Sequence, residues 1–115
     1  MNEITIIHLL HIFIFGSLFL YVGIKNQKIP TWLYSVLFYL GFIILFYHGY
    51  KTYALLKAGK NPWINLFHIF IVAPLLIYIG ANGIKTPMYV YQFVLMLAFA
   101  VIGYHGYYLL LDWKE

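Results

Sequence analysis

Four long stretches of this chain contain no Asp, Glu, Lys or Arg. They run from about Ile4 to Ile24, Thr31 to Tyr50 (with helix able to continue to Ala58), Trp63 to Ala81 and Met88 to Leu111. A helix needs roughly 20 apolar residues to cross the hydrocarbon core of a bilayer, and each stretch supplies about that many. Strands are a poor alternative, because a membrane barrel requires alternating polarity and at least about eight strands. The expected fold is therefore all-α and integral to the membrane, with four transmembrane helices in a single domain.

Composition agrees. Of the 115 residues, 64% are hydrophobic and 9% charged, with a mean hydropathy of +0.86. That leaves too few polar groups to cover a water-soluble globule, which excludes an ordinary soluble enzyme or a disordered chain. The net charge of +4 comes from Lys alone. These Lys sit at the ends of the apolar stretches, where they read as interfacial anchors and not as a nucleic-acid patch. No Cys is present, so thiolate ligands and disulfides are excluded. Met1-Asn2-Glu3 lacks a basic signal-peptide head, so the first stretch reads as a retained helix.

The breaks between stretches carry punctuation. Gly59 can end the second helix, and Asn61-Pro62 can open the third as N-cap and first-turn Pro. Thr86-Pro87 repeats that pattern before the fourth, and Pro30 opens the second. Pro74 falls inside the third stretch and predicts a kink. Trp32, Trp63 and Trp113 fall at span ends, as interfacial rings do. Short loops and four crossings put both termini on one side. Lys51, Lys57, Lys60 and Lys114 lie on that side, against Lys25, Lys28 and Lys85 on the other, which leans toward cytosolic termini.

The chain also matches itself. At an offset of 57, His11-Ile12-Phe13-Ile14 meets His68-Ile69-Phe70-Ile71, and Tyr47-His48-Gly49-Tyr50 meets Tyr104-His105-Gly106-Tyr107. Tyr21 and Gly23 meet Tyr78 and Gly80, and Lys28 and Pro30 meet Lys85 and Pro87. Of the 49 pairs from Thr5/Pro62 to Tyr53/Leu110, 18 are identical. This predicts a tandem duplication of a two-helix hairpin, with repeat one at about 4–58 and repeat two at about 61–112. Each repeat crosses twice, so the two are parallel and related by a pseudo-two-fold axis along the membrane normal. Two helical hairpins forming a four-helix bundle is the expected arrangement.

Each predicted helix then carries one His at similar depth, near the end that bears the termini: His11, His48, His68 and His105. His11 lies roughly 10 Å inside the first helix. His8 lies one turn outward from it, opposite Asn65 in the repeat. Tyr47, Tyr50, Tyr104 and Tyr107 flank the later His of each repeat and can hydrogen-bond an imidazole. Small residues at Gly41/Ala98, and at Gly49 and Gly106, would allow close helix approach.

Intramembrane polar groups are costly and face the bundle interior. A ligand reading makes His11, His48, His68 and His105, with His8, a transition-metal site. The same four His, with Tyr47 and Tyr104, would form a pocket for haem b. A structural reading has the same residues pairing only with one another, as in an assembly protein of a membrane. A third reading is a proton or ion path lined by titratable His. Enzymatic catalysis is disfavoured, because Ser17, Thr31, Ser35 and Thr52 have no intramembrane acid partner. The partner implied throughout is the lipid bilayer, and the exposed Phe and Tyr suit either lipid or a homo-oligomer interface.

The run His-Ile-Phe-Ile, Tyr-x-Gly, Lys-x-Pro, Tyr-His-Gly-Tyr resembles short uncharacterised multi-span membrane proteins of large DNA viruses. The resemblance covers residues 7–51 and 64–107. It implies a small viral membrane protein in which the repeated His and Tyr are characteristic. Lys51 opposite Tyr108 and His8 opposite Asn65 show where the two halves diverge.

Overall fold

The computed structural model describes residues 2–114, with the side chains of Trp113 and Lys114 outside the described set. Among the described residues the fold is helical and contains no strand. Four helices are long and apolar enough to cross a membrane. The first is Glu3–Lys28, the second Thr31–Lys57 and the third Trp63–Lys85. The fourth is Met88–Lys114. The expected starts agree with these to within a residue, and the fourth helix continues three residues past Leu111.

The helix ends follow local chemistry. Asn2 caps the first helix by accepting from the Thr5 amide at 2.8 Å. Gly59 adopts φ 73° just after the second helix, a left-handed conformation that glycine reaches without steric cost. The third helix starts at Trp63 with Pro62 as its N-cap, one residue later than expected, and Asn61 Oδ1 accepts from the Trp63 amide at 3.0 Å just ahead of it. Thr86 does otherwise. Its hydroxyl donates back to the Gly83 carbonyl at 2.7 Å and is fully buried, so it ties down the preceding turn and does not cap the fourth helix. Asn26 at φ 47° and Gly83 at φ 57° turn the chain at positions 57 apart.

Both the first and third helices pass through a π turn, at His11–Gly16 and His68–Val72. Pro74 falls directly after the second of these, in the first turn of the α-helical segment Ala73–Asn82. There its missing N–H and ring are accommodated by a helix that has already widened. The matched first helix has Ser17 in that place and still forms the π turn. Proline is therefore not its cause.

The chain divides into two compact units. One holds residues 1–29 and 87–115, the other residues 30–86. In the first unit the first helix packs against the fourth, and in the second unit the second helix packs against the third. Sequence neighbours alone had suggested pairing first with second and third with fourth. The observed pairs instead each combine an early helix of one predicted repeat with a late helix of the other.

Close approach is glycine's contribution, at two matched places. A Cβ on Gly23 would come within 2.7 Å of Leu95 Cβ, and one on Gly80 within 2.5 Å of Phe38 Cβ and 2.6 Å of its Cα. The contacts correspond at the same offset of 57, since Leu95 matches Phe38. Backbones so close leave no room for a side chain. Gly41 also lies at a crossing, where an added Cβ would meet Ile77 Cγ1 at 2.6 Å and the Ala73 carbonyl at 3.0 Å. Gly49 and Gly106 do not serve this purpose, because an added Cβ there would meet nothing within 4 Å. Around these crossings the buried residues are apolar: Phe19, Val22, Tyr91 and Val94 in the first unit, Leu37, Val72, Leu76 and Ile79 in the second. Large side chains such as Phe13, Phe46, Phe70 and Phe99 stand exposed, as lipid-facing rings would.

Candidate functional site: two stacked histidine pairs

The sequence places His11 and His68 at the first residue of each π turn, one turn beyond Ile7 and Ile64. In both, ring Nδ1 lies 2.7 Å from the carbonyl four residues back, Ile7 for His11 and Ile64 for His68. A carbonyl can only accept, so each ring carries its hydrogen on Nδ1, and in the neutral imidazole Nε2 holds the lone pair.

Across from them, the late His of the facing helix stacks on the ring. His11 and His105 have centroids 4.3 Å apart with planes inclined by 27°. His48 and His68 have centroids 4.0 Å apart with planes inclined by 16°. The structure thus brings the four predicted His together as two pairs, His11 with His105 in the first unit and His48 with His68 in the second.

Each late His makes a further bond across its helix pair. His48 Nδ1 donates to Asn65 Oδ1 at 2.7 Å, and the buried amide is held in place by it. At the matched place in the first unit, His105 Nδ1 lies 2.8 Å from His8 Nδ1. One of those nitrogens bears the hydrogen and the other accepts it. His8 also stacks on Tyr108, with ring centroids 6.3 Å apart and planes inclined by 13°. Its Nε2 lies 4.0 Å from Asp112 Oδ2. This Asp112 contact is one that sequence reasoning missed. Asp112 sits just past the last apolar run, and its reach back to His8 depends on the antiparallel pairing of the first and fourth helices.

The tyrosines border the late His and line the same end of the helices. Tyr47 and Tyr104 turn ring edges toward His48 and His105, at 5.1 Å in each case. Tyr47, Tyr50 and Tyr107 are exposed, in keeping with an interfacial belt. Thr52, weighed from the sequence only as a nucleophile without an acid partner, donates its hydroxyl to the His48 carbonyl at 2.8 Å.

The donor geometry can be tested against a metal. An ion bound to an imidazole lies in the plane of the ring, about 2.0–2.1 Å from the nitrogen. Two stacked, nearly parallel rings have no common in-plane point at that distance. In the observed rotamers neither pair can therefore share one ion between its own two rings. Among the described residues no group of three or more His, Asp or Glu could hold a metal ion. What the pairs do achieve is satisfaction of polar groups. No buried side-chain nitrogen or oxygen among the described residues lacks a hydrogen-bond partner.

Comparison with family models, with curated proteins and with solved structures gives no match to this chain.

Proposed function

We propose that this chain is a multi-pass helical membrane protein of structural type, a small bilayer building block whose helix pairs are pinned by imidazole clamps. The observation that carries this reading is the repeated clamp itself. In each unit a late His stacks on an early His and hydrogen-bonds through Nδ1 to the residue one turn outward. In hydrocarbon such bonds have no competing water, and each contributes on average about 0.6 kcal/mol. Their larger effect is on register, because sliding one helix past its partner would strand both rings.

The two units also support a duplicated origin. The π turns, the left-handed turn residues, the glycine crossings and the His stacks all recur 57 residues apart. A two-helix ancestor that assembled as a pair would leave this pattern after gene duplication.

The test is a UV–visible spectrum with elemental analysis on protein purified in mild detergent from haem- and metal-replete cells, preceded by alkaline carbonate extraction of the membranes. The expected result is a chain that stays in the carbonate-washed membrane and is colourless, metal-free and folded. Release by carbonate would overturn membrane integration. A Soret band or near-stoichiometric metal, lost on replacing His11 and His68 by Ala, would overturn the structural reading in favour of the haem or transition-metal reading.

A further inference from the structure

The two clamps differ where the first unit has titratable groups and the second has none. His8 stands where the second unit has Asn65, and Asp112 where it has Leu55. In the first unit this makes a continuous line of acid and base groups. Side-chain exposure falls from 34% at Asp112 to 13% at His8, and His105 beyond them is buried. The separations along the line are 4.0 Å and 2.8 Å.

We propose that Asp112, His8 and His105 form a proton relay between the aqueous end of the first helix pair and the buried His105 imidazole. The step balances as follows. His8 begins neutral with hydrogen on Nδ1, and His105 begins neutral with hydrogen on Nε2. Protonated Asp112, its Oδ2 at 4.0 Å too far for a direct hydrogen bond, passes its proton through one intervening water to His8 Nε2 and becomes a carboxylate. His8 passes its Nδ1 hydrogen to His105 Nδ1. His8 ends neutral with hydrogen on Nε2, and His105 ends as imidazolium. In net terms one O–H and one N–H bond break, two N–H bonds form, and one positive charge moves inward. Imidazole suits this work because it accepts at one nitrogen while releasing at the other, and chains of Asp, Glu and His serve as intramembrane relays elsewhere.

His11 from the first helix stacks on His105, but its Nδ1 hydrogen is committed to the Ile7 carbonyl. From the helix of His105 itself, Tyr104 borders it edge-to-face, and Tyr108 packs against Tyr104 and His8. Glu3 lies on the exposed first turn of the first helix. The second unit is the built-in control. The Asn65 amide oxygen accepts from His48 and cannot hand a proton on.

The experiment uses the full chain in lipid nanodiscs with 15N-labelled histidine, reading tautomer and ring N–H exchange by NMR. In the parent, His105 is expected to exchange with water on the order of a hundredfold faster than His48, the scale of a positioned acid–base group. In His8→Asn, which copies the second unit, His105 is expected to adopt the Nδ1–H tautomer of His48 and to slow to its rate. In Asp112→Asn, exchange is expected to slow while the His8–His105 bond persists. Equal rates for His105 and His48 in the parent, or unchanged His105 exchange in His8→Asn, would overturn the relay. Should His8→Asn fail to fold, Asp112→Asn decides alone, and an unchanged rate there overturns it.

Discussion

The two helix pairs make the same clamp from different parts. In the pair of second and third helices, the outer member is Asn65, an amide whose oxygen can only accept from His48. In the pair of first and fourth helices it is His8, which can donate or accept and which reaches Asp112 at the helix end. The backbone frame around both is alike, with a π turn at the early His and a glycine crossing deeper in the helix pair. Two exchanges, imidazole for the Asn65 amide and Asp112 for Leu55, thus separate a clamp that only holds from one with the groups of the proposed relay. The lesson is that geometry and titratability are set independently here: the frame decides where the rings meet, and the outer residues decide what they can do.

That comparison breaks most sharply at the glycine crossings. Gly80→Ala and Gly23→Ala each push a methyl group into a facing backbone or Cβ, and overpacking of this kind costs about 1–3 kcal/mol. Thermal or SDS-induced unfolding should show similar losses for the two. A loss at one and none at the other would show that the crossings are not equivalent.

The next effect distinguishes the clamps. His48→Ala removes the hydrogen-bond partner of the Asn65 amide oxygen, on a residue only 6% exposed, and a buried amide deprived of its bond costs about 1–3 kcal/mol. His105→Ala leaves His8 partly exposed beside Asp112, where water can reach it, so the loss should stay nearer about 0.6 kcal/mol. Unfolding of the two variants in parallel checks the order, and a larger loss for His105→Ala would reverse this account.

Asn65→His sharpens the comparison by importing the imidazole. Hydrogen bonding across the second and third helices is kept, so stability should change by less than about 1 kcal/mol. The expected change is in the NMR spectrum, where the tautomer of His48 becomes mixed and resembles that of His105. Smallest of all, Gly49→Ala and Gly106→Ala should be neutral or stabilise by up to about 1 kcal/mol. Neither methyl meets a neighbour, and Ala is the better helix former. A marked loss of stability at either would mean that the position is packed after all.

Much of this was legible in the residues. Uncharged runs marked the four helices, because a bilayer-length apolar stretch leaves few other options, and Gly59 and Asn61-Pro62 marked the break between the second and third. The match of His11 to His68 and of His48 to His105 also foretold that the same local chemistry would recur. The π turns were not legible, since His-Ile-Phe-Ile and the Ser17/Pro74 positions give no common breaker signal. The His8–Asp112 contact was not legible either, since Asp112 lies just outside the apolar run and meets His8 only through the pairing of the first and fourth helices.

Sequence by itself determined which segments are helical, where they start and which residue types recur 57 apart. These follow from local backbone preferences and from the length of the uncharged apolar runs. Tertiary structure alone decided that the first helix packs on the fourth and the second on the third. It decided that Gly23 and Gly80 form the crossings while Gly49 and Gly106 do not, and that four His become two stacked pairs. The physical reason is that these helices are apolar around most of their circumference, so no polar stripe marks the buried face. Rotation and partner choice were left to the close fit of small residues against backbone, and to the few imidazole, amide and carboxylate groups that had to find one another.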